Sequence, residues 1–215
     1  MISVYKNIIP FFSVVVTAFN RSKTIERALI SLTDQSEKDW EAIVVDDGSS
    51  DDTFSIVREF CLKHRNIRYL FQSNRGQAMA KNAGIAASTG LYITFLDSDD
   101  EYITEHLELR KQIIHHYQNL DLIHGGVTII GDPYVPDLND TSKKIHLQDC
   151  AIGGTFVFKR ESLIKLQGFR DINYGDDTDL YNRAKYAKMM VAKTQFETYK
   201  YYRTGEDSLC NQMKK

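Results

Sequence analysis

Four short apolar runs, FSVVVTAF (12–19), EAIVVDD (41–47), IRYLFQ (67–72) and LYITFLD (91–97), are separated by segments of helical period. The first is continuous and rich in β-branched and aromatic residues, the composition of a strand buried on both faces. After it, Ile25, Ala28, Leu29 and Leu32 recur at helical spacing. SSDDTFSIVREFCLKH follows the second run, with Ser49 and Asp52 in capping-box spacing and Phe54, Val57 and Cys61 on one face. RGQAMAKNAGIAAS follows the third and reads as an Ala-rich helix closed by Gly90. Strands that alternate with helices across short links are joined by crossovers. The reading is therefore an α/β chain with a mostly parallel, Rossmann-like central sheet flanked by helices.

A helix over about 104–117 and a strand DLIHGGVTII continue the pattern, which breaks after residue 130. GDPYVPDLNDTSKK is polar, holds two of the three prolines and reads as a loop. A short strand (GTFVFK), a helix (ESLIKLQG), an acid-headed helix (DDTDLYNRAKYAK) and two late strands (MMVAKTQ, ETYKYYR) complete the chain. No repeat or linker divides it, so residues 1–215 are read as one domain, with halves at about 11–130 and 131–215 and the second half irregular.

Composition excludes some classes. Hydrophobic residues make up 42% and charged residues 26%, ordinary for a soluble protein. The net charge of -2 offers no basic excess for nucleic acid. Cys61, Cys150 and Cys210 have neither metal spacing nor a disulfide framework, which suits a reducing compartment. IIPFFSVVVTAF is too short to span a bilayer and has no cleavage signal. It is read as an N-terminal arm leading into the first strand, and the expected location is cytoplasmic, with contact at the inner face of a membrane left open.

In such a sheet, ligands bind beyond the carboxyl ends of the strands. Right-handed crossovers bring three polar strand ends to one edge: Thr17-Ala18-Phe19-Asn20-Arg21, Asp46-Asp47-Gly48-Ser49-Ser50 and Asp97-Ser98-Asp99-Asp100. In an extended segment Asp97 and Asp99 face one way. Two hard oxygen ligands with open positions beside them suit Mg²⁺ or Mn²⁺ shared with substrate phosphates. An isolated acidic turn would more often cap a helix, but three converging polar ends favour a metal site. Asp100 and Glu101 are expected to face solvent or cap. Asp47, before Gly48, is positioned to accept from a base N–H or a ribose hydroxyl, whereas Asp51 and Asp52 suit the next helix start. Neither G-x-G-x-x-G after the first strand nor G-x-x-x-x-G-K-[ST] occurs, which argues against dehydrogenases and P-loop enzymes. Phosphate would then be held by metal, Arg21 or Lys81.

FSVVVTAFN (12–20), AIVVDDGSSDDT (42–53), NRGQAMAKNAGIAASTG (74–90), YITFLDSDD (92–100), GTFVFKRESLIKLQGFRD (154–171) and GDDTDLYNRA (175–184) together resemble the family 2 glycosyltransferases, in the family's order and across most of the chain. The resemblance implies a GT-A fold and inverting transfer of a sugar from a nucleotide-diphospho-sugar, with the first half holding the donor and the second facing the acceptor. It implies that Thr17, Ala18 and Phe19 frame the base, Asp47 bonds uracil, and Gly76 and Ala80 lie along the nucleotide. Lys81 stands where Arg is commoner, keeping the charge without the bidentate fork. Asp97-Ser98-Asp99 matches the D-x-D motif, with Asp99 on the metal and Asp97 near the ribose and metal. Gly154, Thr155 and Asp176 are expected on the acceptor side. The residue matching Asp177 is the general base, and Asp176 replaces the usual Glu. On a helix starting near Asp176, that residue shares a face with Asp179 while Asp177 points elsewhere.

Inverting transfer needs one carboxylate to take the acceptor hydroxyl proton, and the metal neutralises the leaving diphosphate. The expected partners are a UDP-sugar donor and a saccharide or glycolipid acceptor, in polysaccharide or glycoconjugate synthesis. His115 and His116 read as surface, and His124 as core or pocket. No histidine follows His146 to complete a metal site. Two other readings stand beside this one: a nucleotidyltransferase, which would want a basic Gly-rich loop unlike AFNRSKT, and a non-catalytic nucleotide-sugar-binding module, against which Asp47, Asp99 and Asp177 together argue.

Overall fold

The computed structural model describes residues 9–138, 140, 142–172 and 174–203. The N-terminal arm before Ile9 and the tail GEDSLCNQMKK, with Cys210, lie outside the described residues.

All four early runs form strands: β1 (Phe12–Ala18), β2 (Trp40–Asp46), β3 (Ile67–Phe71) and β4 (Tyr92–Asp97). Between them run α1 (Ile25–Thr33), α2 (Thr53–Lys63) and α3 (Gln77–Ala87). Every residue of β1 and β2 is buried, which explains why their sequences do not alternate. Next come β5 (Glu101–Tyr102), α4 (His106–His116), β6 (Leu122–Gly131), β7 (Tyr134–Pro136), β8 (Lys144–His146), β9 (Val157–Lys159), α5 (Arg160–Lys165), α6 (Asp176–Tyr186) and β10 (Val191–Arg203).

Eight strands form one sheet in the order β3-β2-β1-β4-β9-β6-β10-β5. β3, β2, β1 and β4 are parallel, as are β6 and β10, whereas β9 and β5 pair antiparallel with their neighbours. One face packs Ile25, Leu29, Val57 and Leu107 of α1, α2 and α4 against Val14, Val16 and Val44. The other packs Ala78 and Ile85 of α3 and Leu180 and Ala184 of α6 against Val15, Ile93 and Phe95. The chain steps outward from β1 to β3, then returns through α3 to β4 on the far side of β1. Strand order reverses between β1 and β4, where an open α/β sheet forms a crevice.

Four expectations are corrected. The polar stretch after residue 130 contains β7 and β8, which pair antiparallel in a small second sheet. The late strands are one, β10, which follows β6 along its length with an irregularity between Thr194 and Tyr199. GTFVFK begins as a 3-10 turn over Gly153–Thr155, and only Val157–Lys159 is strand. The capping box does not form: Asp52 caps α2 without a side-chain bond, Ser49 Oγ accepts from Asn20 N, and Asp51 accepts from Thr53 N at 3.0 Å. Asp51 also accepts from Ser22 N at 2.9 Å, tying together the ends of β1 and β2.

Candidate active site

The carboxyl ends of β1 and β4 define the crevice, and Asp97 pairs with Thr17 in their register. A tight turn follows β4, closed by Asp100 N donating to Asp97 O at 3.0 Å. Asp100, expected to face solvent or cap, is 1% exposed. Its Oδ2 accepts from the Tyr199 hydroxyl at 2.7 Å, and its Oδ1 from Tyr202 N at 2.7 Å. The Tyr199 hydroxyl also accepts from Asp97 N at 3.3 Å. β10 thereby clamps the turn from behind, which is why this acid turns inward. Glu101 is also not free: it pairs with Arg27 at 3.0 Å and Lys200 at 3.2 Å and accepts from the Tyr202 hydroxyl at 2.9 Å. Arg27 reaches past it to donate to Asp99 O.

With Asp100 and Glu101 engaged in the fold, Asp97 and Asp99 are the turn's less committed acids, Asp97 accepting from Gln77 Nε2 at 3.3 Å. Burial pushes the Asp97 carboxyl up to about 6; Lys81 opposes the rise, and Asp99, Asp177 and Asp176 add to it. Such crowding of carboxylates is relieved by a cation. Among the described residues no group of three or more His, Cys, Asp or Glu could cage one alone. Two carboxylates fit Mg²⁺ or Mn²⁺, which share their shell with substrate oxygens and water. Ser98 is buried inside the turn.

On the opposite wall stands α6. Gly175, at φ 80°, turns the chain into it, so that Asp176 and Asp177 head the helix. Lys81 of α3 is 2% exposed, and its ammonium lies 3.0 Å from Asp177 Oδ1, 3.3 Å from Asp176 Oδ2 and 4.6 Å from the centre of the Phe169 ring. Burial works against its charge, but Asp177, Asp176 and Asp97 outweigh it and hold it protonated. Asp177 Oδ2 accepts from Gly153 N at 2.8 Å. A Cβ on Gly153 would lie 2.2 Å from Asp177 Oδ1, so only glycine lets the backbone come this close. Asp176 sides with Asp177 at Lys81 and not with Asp179, which bonds Arg183 at 2.7 Å and Arg170 at 3.2 Å. Burial and the neighbouring Asp177 raise the Asp176 carboxyl above its ordinary range.

The nucleotide-side residues divide. Phe19 is 45% exposed just past β1, open to a stacking partner. Arg21 flanks it and donates its backbone N–H to Thr53 Oγ1 at 2.8 Å. Asp47 is buried and accepts from Gln72 Nε2 at 2.7 Å, Arg75 N at 2.9 Å and Gly76 N at 2.8 Å. Three of its roughly four acceptor directions are taken, leaving one for a ligand. Gly76, at φ 87°, starts α3 with open space where a Cβ would be. Thr17 and Ala18 are buried, so at this strand end their side chains offer little surface to a ligand. Ala80 does not lie along the crevice, being packed under Ile43 and Val45. Thr155 does not face an acceptor: it is 1% exposed, and its hydroxyl donates to Ile152 O at 2.7 Å and accepts from Gly125 N at 3.0 Å. Gly154 abuts the Tyr199 ring, where a Cβ would come within 2.2 Å of its hydroxyl. Sequence reasoning missed Tyr199, Phe169 and Gly153. Gly153 left a signal as half of a Gly-Gly pair, and Phe169 lies within the quoted GTFVFKRESLIKLQGFRD stretch.

The model of Glycosyl transferase family 2 matches residues 13–167, and a model described as N-terminal domain of galactosyltransferase matches residues 137–207. The GalNAc(5)-diNAcBac-PP-undecaprenol beta-1,3-glucosyltransferase of Campylobacter jejuni is 30% identical over 93% of this chain and 68% of its own. Chondroitin synthase of Escherichia coli is 38% identical over 47% of this chain, which is 15% of that enzyme. Among solved structures, S. aureus TarS residues 1–349 with UDP-GlcNAc superposes with a TM-score of 0.78 at 22% identity over 92% of this chain and 60% of that one. The mannosyltransferase PcManGT of Pyrobaculum calidifontis, with GDP-Man and Mn²⁺, gives 0.73 at 20% over 93% and 59%. The two structures share the fold with this chain, which spans about three fifths of their length. The chain belongs to glycosyl transferase family 2.

Proposed function

We propose that this protein transfers a sugar from a nucleotide-diphospho-sugar to a saccharide hydroxyl with inversion, in polysaccharide or glycoconjugate synthesis. The observation that carries the reading is the pairing of Asp177 with Lys81 and Gly153, across the crevice from the Asp97–Asp99 turn. Phe19 stacks on the base, and Asp47 reads it through its remaining acceptor direction. A UDP-sugar is the favoured donor, and the UDP-GlcNAc bound by TarS and the GDP-Man bound by PcManGT support a nucleotide-sugar in this crevice.

Asp99 and Asp97 would hold Mn²⁺ or Mg²⁺, which when bound offsets the charge of the leaving diphosphate. Arg21 adds positive charge along the phosphates, whereas Lys81 is buried and committed to Asp177 and Asp176. Asp177 takes the acceptor hydroxyl proton as that oxygen attacks the anomeric carbon. Gly153 fixes the carboxylate's direction, and Asp176 shares the load of neutralising Lys81. The lipid-linked substrate named for the Campylobacter enzyme supports an acceptor on a membrane anchor. Among the described residues no helix is long and apolar enough to cross a membrane. The proposed location is cytoplasmic, at the inner face of a membrane that carries the acceptor. Assaying UDP-sugars with saccharide acceptors, wild type against Asp177→Asn, tests the reading: it fails if the variant keeps full transfer.

A further inference from the structure

The α6 wall continues beyond Asp177. Tyr181 and Lys185 follow it at i+4 and i+8 on the same side of the helix, and Lys185 lies about 12 Å further along the axis. These two residues line a pocket of ≈ 480 Å³ with His124 of β6, Met189, Met190 and Lys193. No carboxylate is in its lining. A cleft of equal size beside α1 differs, with Glu26, Asp34, Glu101 and Glu105 against Arg27 and Lys200.

The basic groups converge. His124 is 7% exposed, its ring 4.9 Å from that of Tyr181 and 6.4 Å from that of Phe156, and the ring nitrogens make no hydrogen bond among the described residues. Burial first, then the charges of Lys193, Arg110 and Lys185, hold its pKa down to about 4. At neutral pH the ring is therefore an uncharged donor and acceptor, and the lysines carry the charge. The Lys185 ammonium lies 5.5 Å from the centre of the Tyr181 ring, and the Lys193 ammonium donates to Gln148 O at 3.0 Å. Neither is paired with a carboxylate among the described residues. Ammonium groups act as point charges and suit phosphate oxygens. Met190, 58% exposed, supplies an apolar rim.

We propose that this pocket is an anion subsite that receives a phosphate or diphosphate group carried by the acceptor while the acceptor hydroxyl reaches Asp177. The role of Asp177 in this statement rests on the proposed function. The phosphate can belong to a phosphorylated saccharide or link a saccharide to an apolar chain.

The test is a titration of ¹³C-histidine-labelled protein in EDTA with inorganic pyrophosphate and, separately, geranyl diphosphate, following the His124 ring resonance assigned with His124→Gln. Both ligands are expected to shift it saturably, and Lys185→Ala/Lys193→Ala to weaken binding at least tenfold with an unchanged melting temperature. Tighter binding of geranyl diphosphate identifies a chain-bearing phosphate, and equal binding identifies the phosphate group alone. No saturable shift, or equal affinity in the double variant, overturns the proposal. The readout does not depend on transfer. A silent His124 beside an inactive Asp177→Asn sinks the subsite alone, and a responsive His124 beside an active Asp177→Asn sinks the catalytic reading alone.

Discussion

The hydroxyl of Tyr199 donates to Asp100 Oδ2 at 2.7 Å, so the last long strand holds the turn that carries Asp97 and Asp99. Tyr199→Phe removes that donor and leaves a buried carboxylate oxygen without it, a loss of roughly 1–3 kcal/mol. The melting temperature is expected to fall by several degrees, and Mn²⁺-dependent UDP binding to weaken. Calorimetric titration of UDP with and without Mn²⁺ checks this. Unchanged metal dependence would leave Tyr199 a purely structural residue.

Asp177→Asn keeps the shape of the side chain and removes its basicity. Turnover is expected to drop by about 10²–10⁴, the usual contribution of a positioned general base. UDP affinity should stay within about twofold, because Asp177 lies on α6 and not along the base. Steady-state kinetics beside UDP titration separates the two, and parallel loss of both would mark the residue as structural.

Asp99→Ala should weaken UDP binding in Mn²⁺ and change little in EDTA, where wild type and variant converge. Equal affinity of the two proteins in Mn²⁺ would remove Asp99 from the metal.

Asp97 gives stability a pH dependence. Its folded pKa, pushed up to about 6 mainly by burial, exceeds the ordinary 3.8. The folded state therefore binds this proton more tightly than the unfolded state does. The contribution is full below about 4 and is lost as pH rises through about 6. Asp97→Asn is expected to melt higher than wild type in EDTA at pH 7.5 and to approach it at pH 4. Thermal melts at the two pH values decide, and a constant difference would mean that Asp97 is not raised.

Gly153→Ala puts a methyl group where Asp177 Oδ1 lies. Transfer should fall at least tenfold with UDP binding retained. A variant with full activity would show that the carboxylate can shift without consequence.

The half of the fold that holds the crevice was legible because β1, β2 and β4 are buried on both faces and advertise it as unbroken apolar runs. β7 and β8 were not, since three-residue strands around Pro136 carry no period to read. β10 was split in two because its residues from Gln195 to Glu197 are exposed and interrupt the apolar signal. The site was half legible. Asp97, Asp99 and Asp177 stand out by motif, but the inward turn of Asp100 depends on Tyr199 and Tyr202, about a hundred positions away. The bond between Lys81 and Asp177, 96 positions apart, is equally invisible before α3 and α6 are packed. Ala80 and Thr155 were misread because a motif names positions and not the faces they present.

The clamp on Asp100 also sets an order of events during synthesis. Tyr202 N, which bonds Asp100 Oδ1, enters the chain 102 residues after its partner. At about 5–20 residues per second, that is a delay of roughly 5–20 s in which the crevice strands can pair while the acidic turn lacks its support. The nascent protein thus acquires its sheet before its finished acidic turn, and maturation of that turn waits on the arrival of β10.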